Sequence, residues 1–258
     1  MKVGFIGFGM VSANLTRDLM KNGCEVISSS QGRSEKTSNL INDCGVEDLE
    51  SFEKVAMESD ILISANSPAN ALNVAEKYGV LAKDIFIDLN NITPNISFSI
   101  ETILGNKFVD GAIIGNVSSD KSIIYVAGEM AEKSIVLNGF GLKVKVISEK
   151  IGDASMIKTL RSIYTKGVSA ILIDLDQTAK ELNLEEELFE TLSITEGENF
   201  SDSAKSRIEN SLNNPQRKYE EMNEIFKFLN KFNNENNTDL DIKIIEAIKN
   251  KFKDLTEE

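Results

Sequence analysis

The sequence predicts an α/β domain with a largely parallel sheet, followed by an all-α domain. Three observations predict it. Short β-rich runs alternate with helical segments from Lys2 to about Ser148. The first run ends in Gly-Phe-Gly and passes directly into a helical pattern. Beyond Gly152 there is no convincing strand, only long segments with apolar residues at helical spacing.

In chain order the strand candidates are "KVGFIG", "EVISS", "ILISAN", "IFIDL", "FVDGAIIG", "SIIYVAG" and "KVKVIS". Their near-continuous apolar character fits strands covered by helices on both faces. The first helical segment, "MVSANLTRDLMKNG", ends at Gly23, a plausible stop. After the change of pattern near Glu149 to Gly152 comes "ASMIKTLRSIYTKGVSAILIDLDQTAKELN". There Met156, Leu160, Ile163, Tyr164 and Ile171 recur at steps of three and four, while Gly167 and Ala170 permit close approach, so the helix is expected to be central and packed on several sides. A second long helix is expected over "QRKYEEMNEIFKFLNKF", followed by a solvated turn near Asn230 to Asn237. The domains are therefore placed at residues 1–150 and 151–258.

Composition removes several function classes. A chain of 258 residues, 41% hydrophobic, can bury one or two cores, and the size favours two. A net charge of −13 argues against a nucleic-acid partner, which requires a basic face. Histidine is absent, so no imidazole base exists within one chain; lysine, tyrosine or a carboxylate must move any proton. The two cysteines, Cys24 and Cys44, form no paired or clustered pattern, and neither a disulfide scaffold nor a metal site is expected. No apolar run reaches the roughly 20 residues that span a bilayer. The apolar N-terminus reads as a first strand and not a signal peptide, which places the protein in the cytoplasm with no membrane partner.

Strand, glycine turn, helix and second strand occur in the order that binds a dinucleotide, giving an N-terminal Rossmann-type domain. Gly7 permits the tight turn, and Gly9 lets the backbone approach a pyrophosphate. Phe8 lies between them, and Met10 and Val11 open the helix whose N–H groups supply donors. Ser12 stands where the usual pattern has a third glycine, a position that governs helix–strand packing and accepts a small residue. At the end of the second strand, where an acidic residue would hold a ribose hydroxyl, the sequence reads "ISSSQGRSEK". Ser29 and Ser30 are neutral donors and Arg33 can pair with a 2′-phosphate, which favours NADP over NAD; the alternative is a solvated loop arginine.

Several ordered stretches together resemble the β-hydroxyacid dehydrogenase and 6-phosphogluconate dehydrogenase superfamily. "GFIGFGMVSANL" is similar to its opening loop and "DILISANSPANAL" to its fourth strand and turn. "IDLNNITP" resembles its D-x-S-T-x-x-P segment, "FVDGAIIG" its substrate loop, and "GDASMIKTLRSIYTKG" the helix with its catalytic lysine. The details resemble most a branch whose C-terminal domain is poorly characterised. The resemblance implies a two-domain dehydrogenase, dimeric through its helical domain, with Lys158 as the catalytic lysine. It further implies cofactor contacts from Asn66, Ser67 and Pro68, and from Asn90 and Asn91, which occupy the S-T positions; the plain alternative for all five is turn chemistry.

Two departures fall on the substrate side. The family's asparagine four residues after the lysine is Ser162, and its S-G-G motif becomes Ile114-Gly115-Asn116. Gly115, Asn116, Ser162 and Lys166 are the substrate-site candidates, with Arg217 a weaker one. The expected function is an NADP-dependent oxidoreductase interconverting a small anionic hydroxy acid and its keto form, with Lys158 as general acid and base. An imine reductase and a protein that binds NADP without turnover are the alternatives.

Overall fold

The structure is a computed structural model describing residues 1–117 and 122–257. Eight strands form one sheet: β1 (Lys2–Ile6), β2 (Glu25–Ser28), β3 (Glu47–Asp48), β4 (Ile61–Ser64), β5 (Ile85–Asp88), β6 (Phe108–Ile114), β7 (Ile123–Ala127) and β8 (Val144–Ser148). Their spatial order is β3-β2-β1-β4-β5-β6-β7-β8. The first six are mutually parallel, β7 is antiparallel to β6, and β8 runs parallel to β7. Seven strands coincide with the expected runs. The additional one, β3, is two exposed acidic residues paired to Ile27 and Ser28, too short and polar to carry a hydrophobic signal.

Helices α1 (Met10–Lys21), α2 (Glu35–Asp43), α3 (Phe52–Glu58), α4 (Ala71–Lys77) and α5 (Pro94–Leu104) connect the parallel strands, and a 3-10 helix, Ala131–Phe140, joins β7 to β8. Alternating strand residues feed two cores. On one face lie Val3, Phe5, Ile61, Ile63, Ile85 and Ile87 with Leu15 and Leu19 of α1. On the other lie Leu62, Phe86 and Phe108 with Phe52, Val55 and Val74. Because helices cover both faces, the central strands are buried throughout, as their uninterrupted apolar composition requires.

After β8 the chain is helical: α6 (Asp153–Leu182), α7 (Glu185–Glu196), α8 (Phe200–Leu212), α9 (Pro215–Asn236) and α10 (Lys243–Asp254). The chain separates into two compact units, Met1–Lys158 and Thr159–Glu258. In the second unit Met222, Ile225, Phe228 and Leu229 of α9 and Ile245, Ile248 and Phe252 of α10 are buried. Ile248 also packs against Gly167, where a side chain would meet it at 3.1 Å.

Two expectations about the helical region are corrected. The segment near Asn230 to Asn237 is not a turn, because α9 continues to Asn236 and ends at Asn237 with φ +51°. Its asparagines satisfy the helix end themselves, Asn236 donating to the Phe232 carbonyl at 3.0 Å. Nor are the apolar residues expected to pack α6 on several sides the ones that it buries. Leu160 is 52% exposed, Tyr164 67% and Ile171 60%, while the buried side of the helix carries Thr159, Ser162, Ser169, Ala170, Ile173 and Asp176. Among the described residues no helix is long and apolar enough to cross a membrane, and no cluster could hold a metal ion.

Candidate active site

The order of the parallel strands reverses beside β1, between β2 on one side and β4 on the other, and a crevice at the carboxyl ends of such strands is where open α/β sheets take ligands. Gly7 leaves β1 with φ +92°, a conformation that favours glycine. A Cβ there would also fall 2.8 Å from the Ala65 carbonyl oxygen. Gly9 has a different role. It precedes α1 as its N-cap, is exposed, and among the described residues nothing beyond its own chain neighbours lies within 4 Å of where its Cβ would be. The first-turn N–H groups that follow, from Met10 and Val11 onward, have no partner inside the helix and point toward that opening. Open space before a glycine and a run of amide donors are what a pyrophosphate requires, so this loop fits a dinucleotide.

Ser12 is more than a packing substitute. Its buried hydroxyl donates to the Gly7 carbonyl at 2.8 Å and ties the first turn of α1 back to the glycine turn. Phe8, also buried, contacts Phe5 edge-on with ring centres 6.1 Å apart, anchoring the loop between the two glycines.

Behind the loop lies a polar row that the sequence did not single out. Ile6, Ser64, Asp88 and Asp110 are register partners across β1, β4, β5 and β6. The Asp88 carboxylate is wholly buried and accepts from the Asn90 backbone N–H at 2.9 Å and from Asn90 Nδ2 at 2.6 Å. Asn90 Nδ2 also donates to Ser64 Oγ at 2.9 Å, and Asn90 Oδ1 accepts from the Asn66 backbone N–H. Asn66 in turn donates its side-chain amide to the Ile6 carbonyl. Asn66 and Asn90 thus sit together and join the ends of β1, β4 and β5 just below Gly7. Burial pushes the Asp88 carboxyl up to about 7; hydrogen bonds from Asn90 and Ser64 oppose the rise, and the neighbouring Asp110 adds to it.

The remaining cofactor-side candidates, Ser29 excepted, lie near the surface. Ser67 and Pro68 are exposed at the start of a short 3-10 helix, where Ser67 Oγ accepts from Asn70, and Asn91 is exposed after β5. At the end of β2, Ser29 is buried with its hydroxyl donated to the Leu49 carbonyl at 2.8 Å, while the Ser30 backbone N–H is held by Asp48 at 2.8 Å. Arg33 is exposed, its guanidinium 4.8 Å from the centre of the Phe52 ring. Phe52, distant from Arg33 in sequence, is brought beneath the guanidinium only by the fold.

Asp110 forms a second buried polar centre. It accepts from Ser97 Oγ at 3.1 Å, from the Gly152 N–H at 3.1 Å, and from both the N–H, at 3.0 Å, and the hydroxyl of Ser155. Burial holds its carboxyl above the usual range despite these donors. Lys158, partly buried, follows Ser155 by one turn of α6. Gly115, with φ +94°, and Asn116 are exposed beyond the end of β6. In the second unit, Ser162 is buried, and Lys166 is engaged by Glu221 of α9 at 2.6 Å with both side chains largely covered. Arg217 is exposed; its neighbour Lys218 is held below the usual lysine range by burial first and by Lys166 second.

Residues 2–92 match the family described as NADP oxidoreductase, coenzyme F420-dependent. An uncharacterised 28.5 kDa protein from Methanothermus fervidus, located in the 7S RNA 5′ region, is 41% identical over 258 residues, all of both chains. A conserved protein of unknown function whose structure is described as similar to 3-hydroxyacid dehydrogenases superposes with a TM-score of 0.83 at 38% identity, covering 100% of this chain and 97% of the other. A 3-hydroxyisobutyrate dehydrogenase from Salmonella typhimurium shares the fold, with a TM-score of 0.74 at 13% identity over 100% of this chain and 94% of its own. The chain therefore belongs to the same family as the first two proteins and shares the fold of the 3-hydroxyacid dehydrogenases.

Proposed function

We propose that this oxidoreductase interconverts a small anionic hydroxy acid and its keto form with NADP, and that Lys158 moves the proton. The observation that carries this reading is the open glycine cradle at the reversal of strand order, held by a buried network, in the same compact unit as Lys158. The bound dinucleotide supplies the hydride acceptor or donor. Gly7, Gly9 and the first turn of α1 hold its phosphates, and Arg33, over Phe52, selects the 2′-phosphate. Lys158 takes the hydroxyl proton in oxidation and returns it in reduction, and its ammonium stabilises negative charge on the oxygen. Gly115 and Asn116 orient the substrate. Lys166 is left out of this reading because Glu221 already neutralises it.

We further place the protein in the cytoplasm, consistent with its unpaired cysteines, and as a homodimer formed through the exposed apolar stripe of α6. The test is NADPH titration followed by a panel of hydroxy acids, keto acids and imines. Turnover on acids, lost by at least about a hundredfold in Lys158→Ala with NADPH affinity retained, is the expected result. Tight NADPH binding with no turnover on any compound would favour a binding protein, and turnover confined to imines a C=N reductase.

A further inference from the structure

Lys158 stands on a helix whose start is fastened to the sheet by one carboxylate. Asp110, in the middle of β6, sends one oxygen to the N–H groups of Gly152 and Ser155, so it caps α6 from another strand. Its other oxygen accepts from the hydroxyls of Ser97 and Ser155, and these hydroxyls are 2.9 Å from each other. Asp110, Ser97 and Ser155 are each at most 2% exposed.

The surrounding packing fixes the same turn. Gly152 has φ +93°, and a side chain there would strike Phe98 of α5 at 2.7 Å. Ala154 lies against Ala112 and Ala127, whose small size lets α6 come close to β6 and β7. Ser155 and Ala154 are three and four residues before Lys158, which puts all three on one face of the helix. The rise from Ser155 to Lys158 is only about 4.5 Å. Few torsions separate the fastened turn from the lysine, and the compact unit that contains Asp110 ends at Lys158 itself.

We propose that Asp110 is a positioning residue: through Ser155 and the Gly152 amide it fixes the rotation and depth of the first turns of α6, and so sets where the Lys158 amine is presented. This rests on the reading of Lys158 as the proton-transfer group. A carboxylate suits the role better than an amide because all four groups facing it are donors, and an ionised carboxylate accepts from all of them. In Asp110→Asn one accepting oxygen becomes a donor, so the two serine hydroxyls must reorient.

The experiment uses the full chain. Reductive methylation with carbon-13 gives each lysine an NMR signal, and the Lys158 signal is assigned by its loss in Lys158→Arg. In Asp110→Asn, and in Ser155→Ala as a milder second variant, the Lys158 signal should move toward that of exposed lysines while other lysine signals remain in place. Amide exchange across residues 152–158 should quicken by about tenfold with the rest of the chain unchanged. NADPH affinity should stay within about twofold, and kcat on the accepted substrate should fall by about tenfold with little change in KM. An unmoved Lys158 signal overturns the proposal, as does a shift of every lysine together, which would mean general loosening. Failure of the dehydrogenase reading is distinguishable: turnover would then be absent or indifferent to Lys158→Ala, while the NMR and exchange changes would persist.

Discussion

Asp88 and Asp110 are register partners on adjacent parallel strands, and both carboxylates are fully buried. For Asp88 the proton is held up to about pH 7 in the folded protein, against an ordinary value of 3.8. A carboxyl whose folded pKa is raised gives stability that is complete below its unfolded pKa and is lost as pH rises through the folded one. The stability of the natural chain relative to Asp88→Asn should therefore decline between about pH 4 and pH 7, by a few kcal/mol, and level off above. Urea midpoints of both proteins at half-unit steps of pH test this. A difference that grows with pH would mean that the Asn90 and Ser64 donors outweigh burial.

The two glycines of the loop should fail in different ways when each becomes alanine. At Gly7 the positive φ and the close Ala65 carbonyl make Gly7→Ala destabilising by about 1–3 kcal/mol, seen as a lower thermal midpoint. At Gly9 the added methyl meets nothing, so Gly9→Ala should cost about 1 kcal/mol or less. Its effect should appear instead in NADPH fluorescence titrations, as affinity weakened by about tenfold or more.

Cofactor choice should rest on a single cation. Arg33→Ala is expected to weaken NADPH binding by about ten- to a hundredfold and to leave NADH within about twofold, because a phosphate loses its bidentate, charge-assisted partner. Equal loss for both cofactors would show that the arginine serves the adenine, through its position over Phe52, and not the phosphate.

The α6 stripe makes a prediction about assembly. Leu160, Tyr164, Ile171, Leu175 and Leu182 are exposed at helical spacings, a contiguous apolar surface of the kind that marks an interface. Light scattering should find a dimer, and Ile171→Asp should give monomers with an unchanged circular dichroism spectrum. A natural chain that is monomeric at micromolar concentration would refute this use of the stripe.

Much of the fold was legible because buried strands leave continuous apolar runs, and seven of them stood out. Strand β3 did not, since Glu47 and Asp48 are exposed and polar, placed by backbone pairing to Ile27 and Ser28 and by the Asp48 carboxylate accepting from the Ser30 N–H. The reversed direction of β7 has no local signature either; it follows from which neighbour the chain reaches. On α6, helical spacing correctly identified an apolar stripe but could not say whether this chain covers it. The glycine turn is legible from its place between a strand and a helix, whereas the role proposed for Lys158 comes from the family resemblance of its helix. Asp88 and Asp110 are single carboxylates in the apolar runs IFIDL and FVDGAIIG and carry no local signal, because their importance depends on register. Three strands distant in sequence bring Ser64, Asp88 and Asp110 into one row.

The bond from Ser12 to the Gly7 carbonyl bears on how such proteins are recognised. A search pattern that insists on glycine at the third position treats that residue as empty space and passes over chains in which a hydroxyl fastens the loop. Allowing a small hydroxylated residue there would admit a second solution to the same structural need: one version lets the helix come near, and the other stitches it down.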